Sequence, residues 1–177
     1  MHLEKWQEIS REILIEKYGR GIEKVVYRMP NKSKSDYYLN IVTSNPICIL
    51  AMTKNSEVIL ARQFRPGPNE ILLELPGGGI EKGEEPLAAA KRELLEETGY
   101  CGKMEFVTRV FADGYSPLYR HCFVATECEK VAEQKLDETE YIEVALMKLP
   151  AFREHLRSGK LTDTETGYLG LDHLGLL

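Results

Sequence analysis

The sequence predicts an α/β fold, a mixed sheet sandwiched by helices. Strand-like and helical segments alternate irregularly along the chain. A helix with both ends marked lies near the middle, from Pro86 to Gly99. The length of 177 residues suits one domain with a small extra element at an end, and is enough for a real core.

The elements follow in order. Residues 3–17 read as a helix, because Leu3, Trp6, Ile9 and Ile13 recur at roughly helical spacing. Lys24–Met29 and Tyr37–Thr43 read as strands of a hairpin around the polar turn 30–36. Pro46–Thr53 is a buried strand, and the turn 54–56 leads into a strand over Glu57–Phe64. After the loop 65–70, Ile71–Leu75 is a short strand running into Gly77, Gly78 and Gly79. The central helix starts at Pro86, whose missing N–H costs nothing in a first turn, and stops at Gly99, which suits the left-handed position. Leu87, Ala90 and Leu94 give it an apolar stripe. Strands at Lys103–Ala112 and Leu118–Cys128 flank the loop 113–117. An acidic loop, Val131–Glu140, precedes a strand at Ile142–Lys148, and helices follow at Leu149–Ser158 and Asp163–Leu174.

The chemistry concentrates between Gly78 and Tyr100. Glu84, Glu93, Glu96 and Glu97 gather around one short helix beside Arg92. Grouped carboxylates repel and raise one another's proton affinity. At about 100° per residue, Glu93, Glu96 and Glu97 fall in one sector of the helix. Such a cluster suits a hard divalent cation, Mg²⁺ or Mn²⁺, held by oxygen ligands. Glu93 and Glu97, one turn apart, can share a metal, Glu96 can bind a second, and the Gly77 carbonyl can approach closely for want of a side chain. Arg92 is expected to orient the glutamates through a charge-assisted fork, and Glu84 to do the same or to coordinate through water.

These residues resemble the Nudix box, G-x5-E-x7-R-E-U-x-E-E-x-G-U with U a bulky apolar residue. It maps onto Gly78, Glu84, Arg92, Glu93, Leu94, Glu96, Glu97, Gly99 and Tyr100, with tyrosine in place of the last aliphatic. That tyrosine, the upstream Arg62-Gln63-Phe64-Arg65-Pro66 and the run Glu74-Leu75-Pro76-Gly77-Gly78 resemble the ADP-ribose and ADP-sugar pyrophosphatase branch. The resemblance implies a Nudix-type α/β/α sandwich with a mixed sheet and a small N-terminal antiparallel sheet. It divides the chain into 1–45, strands forming a dimerisation element, and 46–177, the hydrolase domain. It implies metal-dependent hydrolysis of the pyrophosphate of a nucleoside diphosphate sugar, ADP-ribose giving AMP and ribose 5-phosphate. GDP-mannose or another nucleotide sugar is the alternative substrate, and a non-catalytic metabolite-binding domain the alternative class.

The branch places its general base on a late acidic loop before a strand like Glu140-Tyr141-Ile142-Glu143-Val144, which makes Glu140 the candidate and Glu138 the second. Both can also be read as solvated loop acids. Arg65 at a strand end can clamp a phosphate. Glu74 can bind the terminal ribose or orient the glycine loop. Tyr38 falls where relatives present a tryptophan and can stack a nucleobase.

Composition narrows the partners. A formal charge of −5 disfavours a nucleic-acid surface without excluding a nucleotide, and the resemblance implies a small nucleotide-sugar partner. Cys48, Cys101, Cys122 and Cys128 have no CxxC pairing and read as reduced thiols of a cytoplasmic protein. The charged N-terminus has no signal-peptide core, and the longest apolar run, Pro46–Met52, is too short to span a membrane. His2, His121, His155 and His173 show no metal spacing and take no role.

Overall fold

The computed structural model describes residues 3–177; Met1 and His2 lie outside the described residues. The described residues form two compact units, one of residues 3–45 with 111–119 and one of 46–110 with 120–177. The excursion 111–119 thus joins the N-terminal unit despite its distance in sequence.

The first unit is an antiparallel three-stranded sheet, β1(Gln7–Lys17), β2(Arg20–Arg28) and β3(Lys34–Val42), in that order. The helix expected over residues 3–17 is therefore a strand. The reason lies in the turn: Tyr18 and Gly19 both have positive φ, 53° and 71°, and set Lys17 opposite Arg20. A two-residue loop of that hand matches the twist of a hairpin. The β-branched Ile9, Ile13 and Ile15 favour the extended state once a partner strand is supplied. The second hairpin closes on Lys32, also at positive φ, whose N–H donates to the Met29 carbonyl. Trp6, Tyr27 and Tyr37 pack as an aromatic cluster, with centroids 5.7–6.3 Å apart. Within the same unit the Asn40 N–H donates to the Tyr115 carbonyl, and the Phe111 and Tyr119 rings lie 4.3 Å apart.

The second unit is a six-stranded mixed sheet between helices. Its strands are β4(Ile47–Thr53), β5(Glu57–Arg65), β6(Glu70–Glu74), β7(Tyr100–Phe111), β8(Tyr119–Lys130) and β9(Ile142–Lys148). The order is β6-β5-β4-β8-β7, with β9 also paired to β5, and β4 runs parallel to β8. Side chains alternate across β4 as a pleated strand requires. Ile47, Ile49 and Ala51 meet Ala89, Ala90 and Leu94 of α1(Pro86–Thr98). Cys48, Leu50 and Met52 share a core with Phe152 and Leu156 of α2(Leu149–Arg157) and Leu171 of α3(Thr164–His173). Burial on both faces explains why β4 reads as an uninterrupted apolar run.

One detail of the sheet positions the site. β9 occupies residues 57–63 of β5, while β4 pairs only at Val58 and Ile59 and β6 takes Ala61–Arg65. β4 and β6 therefore share one edge of β5 in succession, and the chain leaving β6 runs on beside β4. The Ile49 N–H donates to the Pro76 carbonyl and the Ile47 N–H to that of Gly78, both at 2.9 Å. A Cβ on Gly77 would stand 2.3 Å from the Ile47 carbonyl oxygen, so only glycine lets the loop lie this close.

The α1 ends match expectation: Pro86 occupies its first turn, and Gly99 ends it at φ 75° with its N–H on the Leu95 carbonyl. The packing stripe matches at Ala90 and Leu94, both buried, but not at Leu87. Leu87 is 43% exposed, and Ala89 is fully buried instead. The inward face is set by the close approach of β4, which admits two consecutive alanines. Among the described residues, no helix is long and apolar enough to cross a membrane. Cys48, Cys122 and Cys128 are buried on strands, Cys101 is exposed, and all four are free thiols.

Candidate active site

The glycine loop and α1 face each other through carboxylates. Glu97 is 4% exposed, and its Oε2 accepts the Gly77 N–H at 2.9 Å. Glu93 lies against Gly78 so tightly that a Cβ there would stand 2.3 Å from Glu93 Oε1. The acidic residues therefore do not form a solvated face apart from the packing face. Glu93 and Glu97 continue the inward side of Ala89, Ala90 and Leu94 and lie beneath the glycines.

Arg92 holds the outer part. Its Nε and Nη2 fork onto Glu84, each at 2.9 Å, and Nη1 reaches Glu93 at 2.9 Å and Glu96 at 3.1 Å. Nη2 also donates to the Gly79 carbonyl at 3.0 Å. One guanidinium thus ties three box glutamates to the glycine loop, which only a planar fork of five donors can do. Glu84 also accepts the Glu81 N–H at 3.0 Å. Arg92, and then that N–H, hold the Glu84 carboxyl below its usual range.

Proton affinities rise inward. Burial lifts Glu93 above the ordinary carboxylate value in spite of Arg92, and the charges of Glu140 and Glu96 add to it. Glu97 is pushed up to about 8, first by burial, with Glu93 and Glu140 contributing, while the Gly77 N–H pulls the other way. Glu140 is therefore the loop acid whose charge reaches both box glutamates. It sits in the turn before β9, where its N–H donates to the Asp137 carbonyl at 3.0 Å and its Oε2 accepts the Asp137 N–H at 3.1 Å. Glu138 is exposed in the same turn. A cavity of about 400 Å³ opens beside Glu140, lined by Gln63, Phe64, Ile71, Leu136 and Tyr141 among others.

Arg65 and Glu74 form a pair. Glu74 is fully buried and accepts from Arg65 Nε and from the Thr162 hydroxyl. Both oxygens of Glu74 are thus engaged inside the protein. The Arg65 charge is felt at Glu97, whose proton affinity it lowers. Tyr38 lies on β3 in the other unit, exposed and opposite Lys24. Gln134 and Thr162 carry no motif and no periodicity, so the sequence does not single them out; only their contacts do.

Among the described residues no three His, Cys, Asp or Glu side chains stand as a ready-made cation cage. The donor set nevertheless fits a hard divalent cation. Every donor is an oxygen, the innermost carboxylate is buried and short of positive charge, and neighbouring acids raise its proton affinity further.

The profile of the NUDIX domain matches residues 44–164, well over half of the chain. The chain belongs to the Nudix family. An ADP-ribose pyrophosphatase of Bacillus subtilis is 36% identical over 127 residues, 69% of this chain and 68% of that protein. One from Saccharomyces cerevisiae is 30% identical over 154 residues, 77% of this chain and 67% of that one. The chain thus spans about two thirds of these Nudix relatives. A crystal structure described as an ADP compounds hydrolase superposes over the whole of both chains with a TM-score of 0.82, at 20% identity, and shows the shared fold. The Nudix box is the glycine loop, α1 and Gly99 described above.

Proposed function

We propose that this Nudix hydrolase cleaves the pyrophosphate of an ADP-sugar, converting ADP-ribose to AMP and ribose 5-phosphate. The observation that carries this reading is the glycine loop held against the buried Glu97 and against Glu93, which Arg92 ties to Glu84 and Glu96. The likeness to the two ADP-ribose pyrophosphatases supports the substrate class.

In this reading Glu93 and Glu97 are the principal ligands of a divalent cation, Mg²⁺ or Mn²⁺, and Glu96 holds a second. Gly77 adds its carbonyl: in an extended segment the N–H and C=O of one residue point the same way, and its N–H faces Glu97. Such a cation neutralises phosphate charge and lowers the pKa of a bound water when present. Arg92 and Glu84 position the ligand carboxylates. Glu140 takes the proton of the attacking water, with Glu138 the second candidate. Arg65, held by Glu74, steadies the departing phosphate from β5.

Tyr38 on β3 stacks the base, and the N-terminal sheet joins two copies of the chain. The exposed β1 supports that joining, for Ile13, Leu14 and Ile15 stand in solvent along an unpaired edge, which natural sheets cover or pair. The free thiols accord with a reducing cytoplasm.

The test is a panel of ADP-ribose, GDP-mannose, other nucleotide sugars, dinucleotides and deoxynucleoside triphosphates with Mg²⁺ and with Mn²⁺, products identified. AMP and ribose 5-phosphate from ADP-ribose at the highest kcat/KM are expected. A preference for triphosphates would overturn the substrate class. Glu140→Gln should cost on the order of 10²–10⁴ in rate, and a loss under about tenfold would move the base to Glu138 or the box.

A further inference from the structure

The loop between β8 and β9 is joined to the end of α1 by a side chain that no motif marks. Its first half lies along the helix C-terminus. The Val131 and Ala132 N–H groups donate to the Gly99 carbonyl at 2.9 and 3.2 Å, and the Lys135 N–H to that of Glu96 at 2.9 Å. These carbonyls belong to the last turn, which has no partners within the helix. Gly99 is required at the crossing: its φ is 75°, and a Cβ would stand 2.2 Å from the Ala132 carbonyl oxygen.

Gln134 adds a second kind of bond. Its Nε2 donates to the Glu97 carbonyl at 2.6 Å and to the Ile142 carbonyl at 3.1 Å. Both partners are acceptors, so the amide orientation is dictated by the contacts, and one nitrogen directs its two hydrogens to two elements. One partner is the backbone of the residue bearing the innermost carboxylate. The other is the first residue of β9, two positions after Glu140. Between Lys135 and Ile142 the chain closes on itself through the reciprocal bonds of Asp137 and Glu140. Gln134 thus ties the stem of the Glu140 turn to the Glu97 backbone.

The need for such a tie follows from the geometry: Glu140 is exposed in a turn that closes on itself through Asp137, and Gln134 joins the stem of that turn to both α1 and β9. We infer that Gln134 is a positioning residue: its amide holds the turn carrying Glu140 in register with Glu97, setting the distance from the proton acceptor to the helix carboxylates. This rests on the assignment of Glu140 as base. Gln134 touches no reacting atom and acts through Glu140.

The experiment compares Gln134→Met, which keeps the length and removes both donors, with Glu140→Gln and with the double variant, using ADP-ribose and Mg²⁺. The expected loss for Gln134→Met is about 10- to 100-fold in kcat with KM nearly unchanged. Gln134→Glu, which places an acceptor against two carbonyls, should lose at least as much. The double variant should be no slower than Glu140→Gln alone, because the two act as one unit. Losses that multiply in the double variant, or unimpaired Gln134→Met, overturn the inference. Amide hydrogen exchange decides it independently of activity. The Val131, Ala132 and Lys135 amides should stay protected in wild type and in Gln134→Met, while those of Asp137 and Glu140 exchange faster in the variant. Unchanged exchange at Asp137 and Glu140 overturns the tether even if the variant is inactive. A small loss in Glu140→Gln would instead refute the base assignment, and the exchange result would then judge the tether by itself.

Discussion

Replacing Glu97 by glutamine should stop turnover and yet make the metal-free protein more stable. In the unfolded chain this carboxyl titrates near 4.5, whereas in the folded protein burial beside Glu93 and Glu140 raises it to about 8. Between those values the folded state binds a proton that the unfolded state releases. Stability from this group therefore falls as pH rises through the window and levels off above it. At about 1.36 kcal/mol per pH unit, keeping the carboxyl protonated costs about 1 kcal/mol at pH 5, about 3 at pH 7 and about 4 at pH 8. Glutamine avoids the cost and still offers an oxygen to the Gly77 N–H, the hydrogen bond that Glu97 makes. The assay is urea unfolding of both proteins in chelator at these three pH values. Glu97→Gln should be the more stable by an amount that grows with pH, about 3 kcal/mol at pH 7. Saturating Mg²⁺ should narrow or reverse the gap, because binding to the folded state stabilises only a protein that retains the ligand. A gap independent of pH, or a glutamine variant less stable at pH 7, would refute the buried, proton-hungry carboxylate.

Other perturbations address the surrounding parts. Arg92→Lys keeps the charge but cannot span Glu84, Glu93, Glu96 and Gly79 together, so kcat/KM should fall about 10- to 100-fold; a Mn²⁺ titration should weaken in parallel, and unchanged affinity would contradict the orienting role. Gly78→Ala places a methyl where the Glu93 carboxyl stands, and since the end of a flexible side chain must move, the Tm should shift little while activity drops. Retention of full activity would mean that Glu93 has room to spare. Light scattering after size exclusion should give a dimer, and Ile13→Lys on the exposed β1 should shift it toward monomer; a monomeric wild type would remove the N-terminal interface.

Much of the site was legible because it is local. Glu84, Arg92, Glu93, Glu96, Glu97 and Gly99 lie within two turns of loop and one helix, where a fixed pitch converts spacing into geometry. The ends of α1 could be read for the same reason, since proline and glycine act on their own backbone. The apolar spacing of residues 3–17 fits a weak helix, whereas the Tyr18–Gly19 turn and the pairing with β2 decide for a strand. The same limit explains Leu87 and Ala89: a helical period shows that a stripe exists, and the neighbour that approaches decides which residues it contains.

The sequence alone determined that a helix bearing four glutamates and one arginine follows a glycine run, and that divalent-cation chemistry on a phosphate anhydride belongs there. The tertiary structure alone decided that Glu97 is buried and holds its proton to about 8, that Glu74 faces inward to Arg65 and Thr162, and that Gln134 bridges Glu97 and Ile142. Desolvation and the meeting of distant charges depend on which surfaces pack together, and residue spacing along one chain carries neither.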